Sequence, residues 1–168
     1  IKNFPNKSKN KIIVIPALLR KMFYDVKFDN NIMDTINILI IGGSQRAKIF
    51  ETLISSALVK LSKRYKLKVY QQADFDNFEN LRTTYKENDI ECELFDFNED
   101  ILNFMNRSNL CITRAGASTL AELSFLKIPY LAIPLPTAKD NHQFENAFFY
   151  NKRGCNWILN QSEIDENT

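Results

Sequence analysis

Residues 114–122 read RAGASTLAE and residues 139–147 read KDNHQFENA. Each stretch puts small residues and hydrogen-bonding side chains where a short apolar run, 110–113 (LCIT) or 130–133 (YLAI), gives way to a helical pattern. A third junction of this kind lies upstream, where INILII (36–41) runs into Gly42, Gly43, Ser44 and Gln45. Open α/β sheets collect ligands beyond the carboxyl ends of their strands. Three strand ends therefore offer loops to one ligand, and a nucleotide is the ligand expected.

The rest of the chain keeps the same rhythm. Apolar runs at 36–41, 67–71, 92–95, 110–113, 130–133 and 156–159 alternate with helical periodicity at 47–64, 75–85, 99–106, 119–126 and 142–152. Right-handed crossovers between parallel strands place helices over the sheet. The fold class expected is α/β: a Rossmann-like, mainly parallel six-stranded sheet with helices on both faces. In the first helix Ile49, Leu53, Ile54, Ala57, Leu58 and Leu61 recur at helical spacing, while Lys48, Glu51, Lys60 and Lys63 face away. Residues 1–35, rich in Asn and Lys with an apolar cluster only at 11–24, read as a partly ordered lead-in segment. Residues 36–160 read as the nucleotide-binding domain, and 161–168 as a polar tail that stops short of the helix a last strand wants for cover.

A chain of 168 residues suits one domain, which buries about 70% of the surface its unfolded form exposes. Cys92, Cys111 and Cys155 fall in no CxxC spacing and read as small hydrophobes in a reducing compartment. His142 is the only histidine, so no metal site is expected, and a net charge of +2 argues for no nucleic-acid partner. The longest apolar run is far short of the roughly 20 residues a membrane span needs, and no secretory signal pattern opens the chain. A cytoplasmic chain is expected.

Each junction has a plain structural reading beside a functional one. Gly42 and Gly43 either make a tight turn or let the backbone approach a phosphate that Ser44 and the following helix receive. Thr119 and Glu122 have the spacing of a capping box; alternatively, Glu122 accepts hydrogen bonds from both hydroxyls of a ribose, as a carboxylate does in dinucleotide-binding folds. Asp140 or Asn141 caps the last helix, or else His142, Gln143 and Asn146 offer a sugar the donors and acceptors its hydroxyls require. Arg114 either contacts a phosphate or pairs with Glu99 or Asp100.

In this order and spacing, GGSQRA (42–47), DFNEDI (96–101), RAGASTLAEL (114–123) and KDNHQFENA resemble the C-terminal half of the MurG family, glycosyltransferase family 28. That family moves N-acetylglucosamine from UDP-N-acetylglucosamine onto lipid I to form lipid II, for peptidoglycan and hence cell shape and division. The resemblance covers about residues 36–159. It implies the C-terminal domain of a two-domain GT-B fold and a metal-independent, inverting hexosyltransferase with no cofactor. Ser44 would contact the diphosphate, and the main chain near Phe97 and Asn98 would read the uracil. Ala117, Ser118, Thr119, Leu120, Ala121 and Glu122 would wrap diphosphate and ribose, with Glu122 on the ribose hydroxyls. His142, Gln143 and Asn146 would reach the sugar. The family's GNPVR segment corresponds to IPALLR (15–20), which makes Arg20 a donor-binding candidate.

The acceptor half, with its membrane-facing patch, is not among these residues, and neither is the family's terminal helix. Arg46 stands where the family has a glycine, and Gln71–Gln72 where it has His-Gln. The expectation is a donor-binding half, inactive in transfer alone. A partner domain or chain would supply lipid I and hold the pair at the cytoplasmic face of the inner membrane. Two other readings stand beside it: a separate catalytic subunit of the Alg13 type, and a non-catalytic nucleotide-binding remnant.

Overall fold

The computed structural model describes residues 10–13, 15, 17–26, 34–43, 48–97 and 100–164. Six strands, β1 (Thr35–Ile41), β2 (Lys66–Gln72), β3 (Glu91–Phe95), β4 (Leu110–Thr113), β5 (Tyr130–Ala132) and β6 (Asn156–Ile158), form one sheet. Their order is β3-β2-β1-β4-β5-β6, and every pairing is parallel. The helices are α1 (Ser55–Ser62), α2 (Phe78–Glu87), α3 (Ile101–Asn106), α4 (Ala117–Phe125) and α5 (His142–Asn151).

Strand alternation divides the core in two. Ile38 and Ile40 of β1 face a cluster with Val69, Ile112, Leu58 of α1 and Leu81 and Tyr85 of α2. Leu39 and Ile41 face the opposite cluster, with Tyr70, Cys111, Leu102 and Met105 of α3, Leu120 and Leu123 of α4 and Ala147 of α5. Because both faces are covered, the inner strands read as continuous apolar runs rather than alternating ones. The chain moves outward from β1 to β3, crosses back to β4, and moves outward again to β6. The loops after β1 and β4 therefore diverge at the reversal and open a crevice. Among the described residues no helix is long and apolar enough to cross a membrane.

The first helix is not the unbroken element expected at 47–64. Phe50–Ile54 is a π-helical turn, and α1 follows it. Its cause is a buried polar network. The Ser55 hydroxyl (2.9 Å) and the Gln71 amide (3.1 Å) both donate to the Phe50 carbonyl, while the Tyr85 hydroxyl bonds to Ser55 at 3.0 Å and also to Gln71. Side chains serving that carbonyl let the ladder slip by one residue. Burial pushes the Tyr85 phenol up, so it stays a neutral donor. Helix α2 starts at Phe78 behind a 3-10 turn, Phe75–Asn77, and two further helices also start off their expected positions. Helix α3 starts at Ile101 rather than at 99, with the Asp100 carboxylate accepting from the Asn103 N–H at 3.3 Å. Helix α4 starts at Ala117 rather than at 119.

Both ends of the described chain are more involved than their composition suggests. Phe23, in the short turn Lys21–Phe23, is 0% exposed within the α3–α4–α5 face of the core. Leu19, Met22 and Val26 pack around the same cluster, and Tyr24 meets Phe125 edge-on at 5.3 Å. At the other end, Gln161 is not a free polar tail, because its side chain accepts from Arg114 at 2.7 Å. The reading of the cysteines as buried hydrophobes holds for Cys111, whereas Cys92 and Cys155 are half-buried.

Removing a fully buried phenyl ring costs about 3–5 kcal/mol. Phe23→Ala should therefore lower the unfolding free energy by about that amount in urea titration. A loss of less than about 1 kcal/mol would mean that the segment only rests on a finished domain.

Candidate functional site

Two cavities, each of about 640 Å³, meet at the crevice. The first lies between the ends of β1 and β4 and the start of α5, and Gly42, Lys48, Arg114, Gly116, His142 and Gln143 line it. The second runs to the outer strands and is lined by Leu18, Arg20, Phe95, Phe97, Met105 and Glu122. Gly43, Ser118 and Thr119 belong to both, so the first turn of α4 is the ridge between them.

Gly116 is the N-cap of α4, extended at φ −69°, ψ 134°, with no side chain capping the helix. The first helical bond runs from the Leu120 N–H to the Gly116 carbonyl at 3.0 Å. The N–H groups of Ala117, Ser118 and Thr119 therefore have no helical acceptor and form a positive helix end at the ridge. This overturns the capping-box reading. Thr119 sits inside the first turn rather than at the cap, and Glu122 lies in the second turn, beyond reach of the cap N–H.

Two side chains tie the strand ends beneath the cavities. Gln72, at the end of β2, accepts from the Gly43 N–H at 3.1 Å and donates to the Asp96 carbonyl at 2.9 Å, linking the loops after β1 and β3. Gly43 holds φ +73°, which a side chain there would strain. Arg114, 9% exposed, donates to the carbonyls of Ile133 (3.0 Å) and Pro134 (3.3 Å) and to Gln161 (2.7 Å), with its guanidinium 5.2 Å from the Phe50 ring centre. None of these bonds goes to Asp100, and the other expected partner, Glu99, lies outside the described residues. Burial pulls this guanidinium below its usual pKa.

Glu122 is buried, and its Oε1 accepts from Arg20 Nε at 3.1 Å. Arg20 also lies over the Phe23 ring, 5.0 Å from its centre. Burial pushes the Glu122 carboxyl above the ordinary carboxylate range, and the charge and hydrogen bond of Arg20 oppose that rise. In the first cavity, His142 Nδ1 lies 2.7 Å from the Lys139 carbonyl and so carries the proton, leaving Nε2 as an acceptor. Gln143 Oε1 accepts from the Leu135 N–H at 2.9 Å, leaving its amide nitrogen as a donor. Asp140 and Asn141 precede α5 in left-handed backbone, each at φ +53°, and Asn141 makes no side-chain cap.

The other candidates are placed differently. Asn146 lines neither cavity; its amide donates to the Ala115 carbonyl at 3.1 Å and ties α5 to the RAGA loop. Leu120 and Ala121 turn their side chains into the core, and the Leu120 N–H is already bonded. Ser44 and Asn98, with Arg46, lie outside the described residues. Lys48 and Glu51, read as facing away, do not: Lys48 lines the first cavity, and the Glu51 carboxylate accepts from the Asp74 N–H (2.9 Å) and Asn77 Nδ2 (2.8 Å). Among the described residues no group of three or more His, Cys, Asp or Glu side chains could hold a metal ion.

A carboxyl whose pKa is raised by folding contributes stability below its unfolded pKa and loses it as pH rises through the folded one. Arg20 offsets that loss at Glu122. Arg20→Met should match the parent near about pH 4. Toward neutrality it should fall behind by about 1 kcal/mol, since half of the pair is exposed. Urea titrations across pH measure this, and a deficit independent of pH would reduce Arg20 to a packing partner of Phe23.

The model of the glycosyltransferase family 28 C-terminal domain matches residues 37–168. A Pelagibacter ubique UDP-N-acetylglucosamine–N-acetylmuramyl-(pentapeptide) pyrophosphoryl-undecaprenol N-acetylglucosamine transferase is 66% identical over 168 residues, which is 100% of this chain and 47% of that protein. The protein of the same name from Rickettsia bellii is 37% identical over 97% of this chain and 48% of its own length. The chain thus spans about half the length of the curated relatives it matches. The crystal structure of Acinetobacter baumannii MurG superposes with a TM-score of 0.72 at 30% identity, over 79% of this chain and 40% of that one. The solution structure of ALG13 superposes with a TM-score of 0.51 at 19% identity, over 77% of this chain and 80% of that one, a likeness of fold alone. The sheet is that of a GT-B C-terminal domain, and the chain belongs to the glycosyltransferase family 28 C-terminal domain family.

Proposed function

We propose that this chain is the donor-binding half of a MurG-like N-acetylglucosaminyltransferase and that UDP-N-acetylglucosamine lies across both cavities. The observation that carries this reading is the ridge. A nucleoside diphosphate sugar has a planar aromatic base with a ribose at one end, two phosphates in the middle and a polyhydroxylated ring at the other. The second cavity offers Phe95, Phe97 and Leu18 to a base and the buried Glu122 carboxylate to ribose hydroxyls. The first turn of α4 offers free N–H groups and a positive dipole end to phosphates. In the first cavity, His142 and Gln143 keep one acceptor and one donor for a sugar.

In this assignment Ala117, Ser118 and Thr119 bind the diphosphate through their N–H groups, and Glu122 binds the ribose. Ser44 joins the diphosphate and the Asn98 main chain the uracil, as the resemblance implies. Arg20 favours the ionised form of Glu122, and Asn146 acts at one remove by fixing the loop that starts α4. Transfer needs an acceptor half that presents the hydroxyl of lipid I to the anomeric carbon from the far side of the cleft. The helix end here would then stabilise the charge developing on departing UDP. Such a pair would work peripherally at the cytoplasmic face of the inner membrane.

Calorimetric titration tests the assignment. UDP should bind in the micromolar to millimolar range, since one wall of a cleft leaves much of the ligand wet, and UDP-N-acetylglucosamine should bind more tightly than UDP-glucose. Equal affinity for the two sugars would remove His142 and Gln143 from the sugar site, and no binding of any of the three would end the donor reading. Glu122→Ala should weaken UDP binding about 10-fold to 100-fold, the effect of losing hydrogen bonds to a charged group. Unchanged affinity in that variant would move the ribose elsewhere.

A further inference from the structure

Among the described residues, three cationic side chains line the cleft, and two of them are already committed. Arg20 is bonded to Glu122, and Arg114 is buried against two carbonyls and Gln161. Lys48 lines the first cavity, is exposed, and has no acceptor for its ammonium among the described residues. Its carbonyl accepts from the Thr52 hydroxyl at 3.2 Å.

Its place in the cavity has a mechanical cause. Lys48 precedes the π-turn Phe50–Ile54. One residue inserted into a helix rotates everything upstream by about 100° relative to the turns that follow. By the spacing of the apolar residues in α1, Lys48 and Glu51 belong to the outward face. With the slip, Glu51 reaches the loop before α2 and Lys48 reaches the cavity. Ser55, Gln71 and Tyr85 hold the slip in place by bonding to the Phe50 carbonyl or to one another.

Resting on the donor-site reading, we propose that Lys48 is the side-chain cation for the ligand's phosphates and that the Ser55–Gln71–Tyr85 network is the device that aims it. The helix end of α4 supplies partial charge from fixed N–H groups on one side of the first cavity. Lys48 supplies a full charge from the other.

Calorimetry of the full chain with UDP and with uridine tests this. Lys48→Gln should weaken UDP binding about tenfold. It should leave uridine binding unchanged, Lys48→Arg should restore UDP binding, and the loss should shrink as added salt screens the charge. Equal UDP affinity in parent and Lys48→Gln, or an equal loss for uridine, overturns the assignment while leaving the donor reading intact. A parent chain that binds neither ligand overturns both. For the network, Tyr85→Phe should weaken UDP binding in the parent and have no further effect in Lys48→Gln. The same loss in both backgrounds overturns the aiming role.

Discussion

The cleft depends on how six parallel strand ends are tied where the strand order reverses. Parallel strands leave their terminal carbonyls and following N–H groups without ladder partners, and a crevice between diverging loops has little apolar surface with which to hold them. Gln72 closes one half of the sheet, holding the loop after β1 to the loop after β3. Arg114 closes the other, holding the carbonyls after β5 and the side chain of Gln161 after β6. With both ties made, the ridge between the cavities is a rigid helix end on a fixed frame. Binding groups fixed in this way lose little freedom when a ligand arrives.

Charge at the site is divided by burial. Among the described residues Glu122 is the acidic group of the second cavity, buried and paired with a half-exposed arginine. The first cavity holds Lys48 and a helix terminus, and among the described residues no acidic side chain lines it. A ligand with neutral hydroxyls at one point and phosphates at another matches that division. A ligand with the order reversed would put phosphates against a buried carboxylate. The same division explains why Arg20 matters from outside the strand ends: without it, an ionised Glu122 would face the second cavity with no cation beside it.

The sheet was legible because its cause is local. Apolar runs such as INILII and LCIT mark strands whose observed limits differ by at most one residue at either end from those read. Less visible were features whose cause lies far along the chain. The π-turn is made by Gln71, 21 residues from Phe50 in sequence, and by Tyr85, 14 residues beyond Gln71. Arg114 finds Gln161 across 47 residues, and Arg20 finds Glu122 across 102. Thr119 invites a cap assignment and so a late start for helix α4, whereas Gly116 is the N-cap through extended backbone without a side chain. Of the residues that line the two cavities, Ser118, Thr119, Glu122, His142 and Gln143 could be picked out from RAGASTLAE and DNHQ. Lys48 and Gln72 could not, since a helix face and a strand end acquire their neighbours only on folding.

The central claim is that one ligand spans both cavities, with its phosphates on the first turn of α4. Amide chemical-shift mapping of the isotopically labelled chain, titrated in parallel with UDP and with uridine, tests it most directly. The account predicts that uridine shifts amides around Phe95, Phe97 and Glu122 only. UDP should shift these and, in addition, the amides of Gly43, Ala117, Ser118 and Thr119. If UDP and uridine shift the same set, or if UDP leaves Ala117 to Thr119 unmoved while shifting amides elsewhere, the phosphates do not rest on that helix end and the account is wrong.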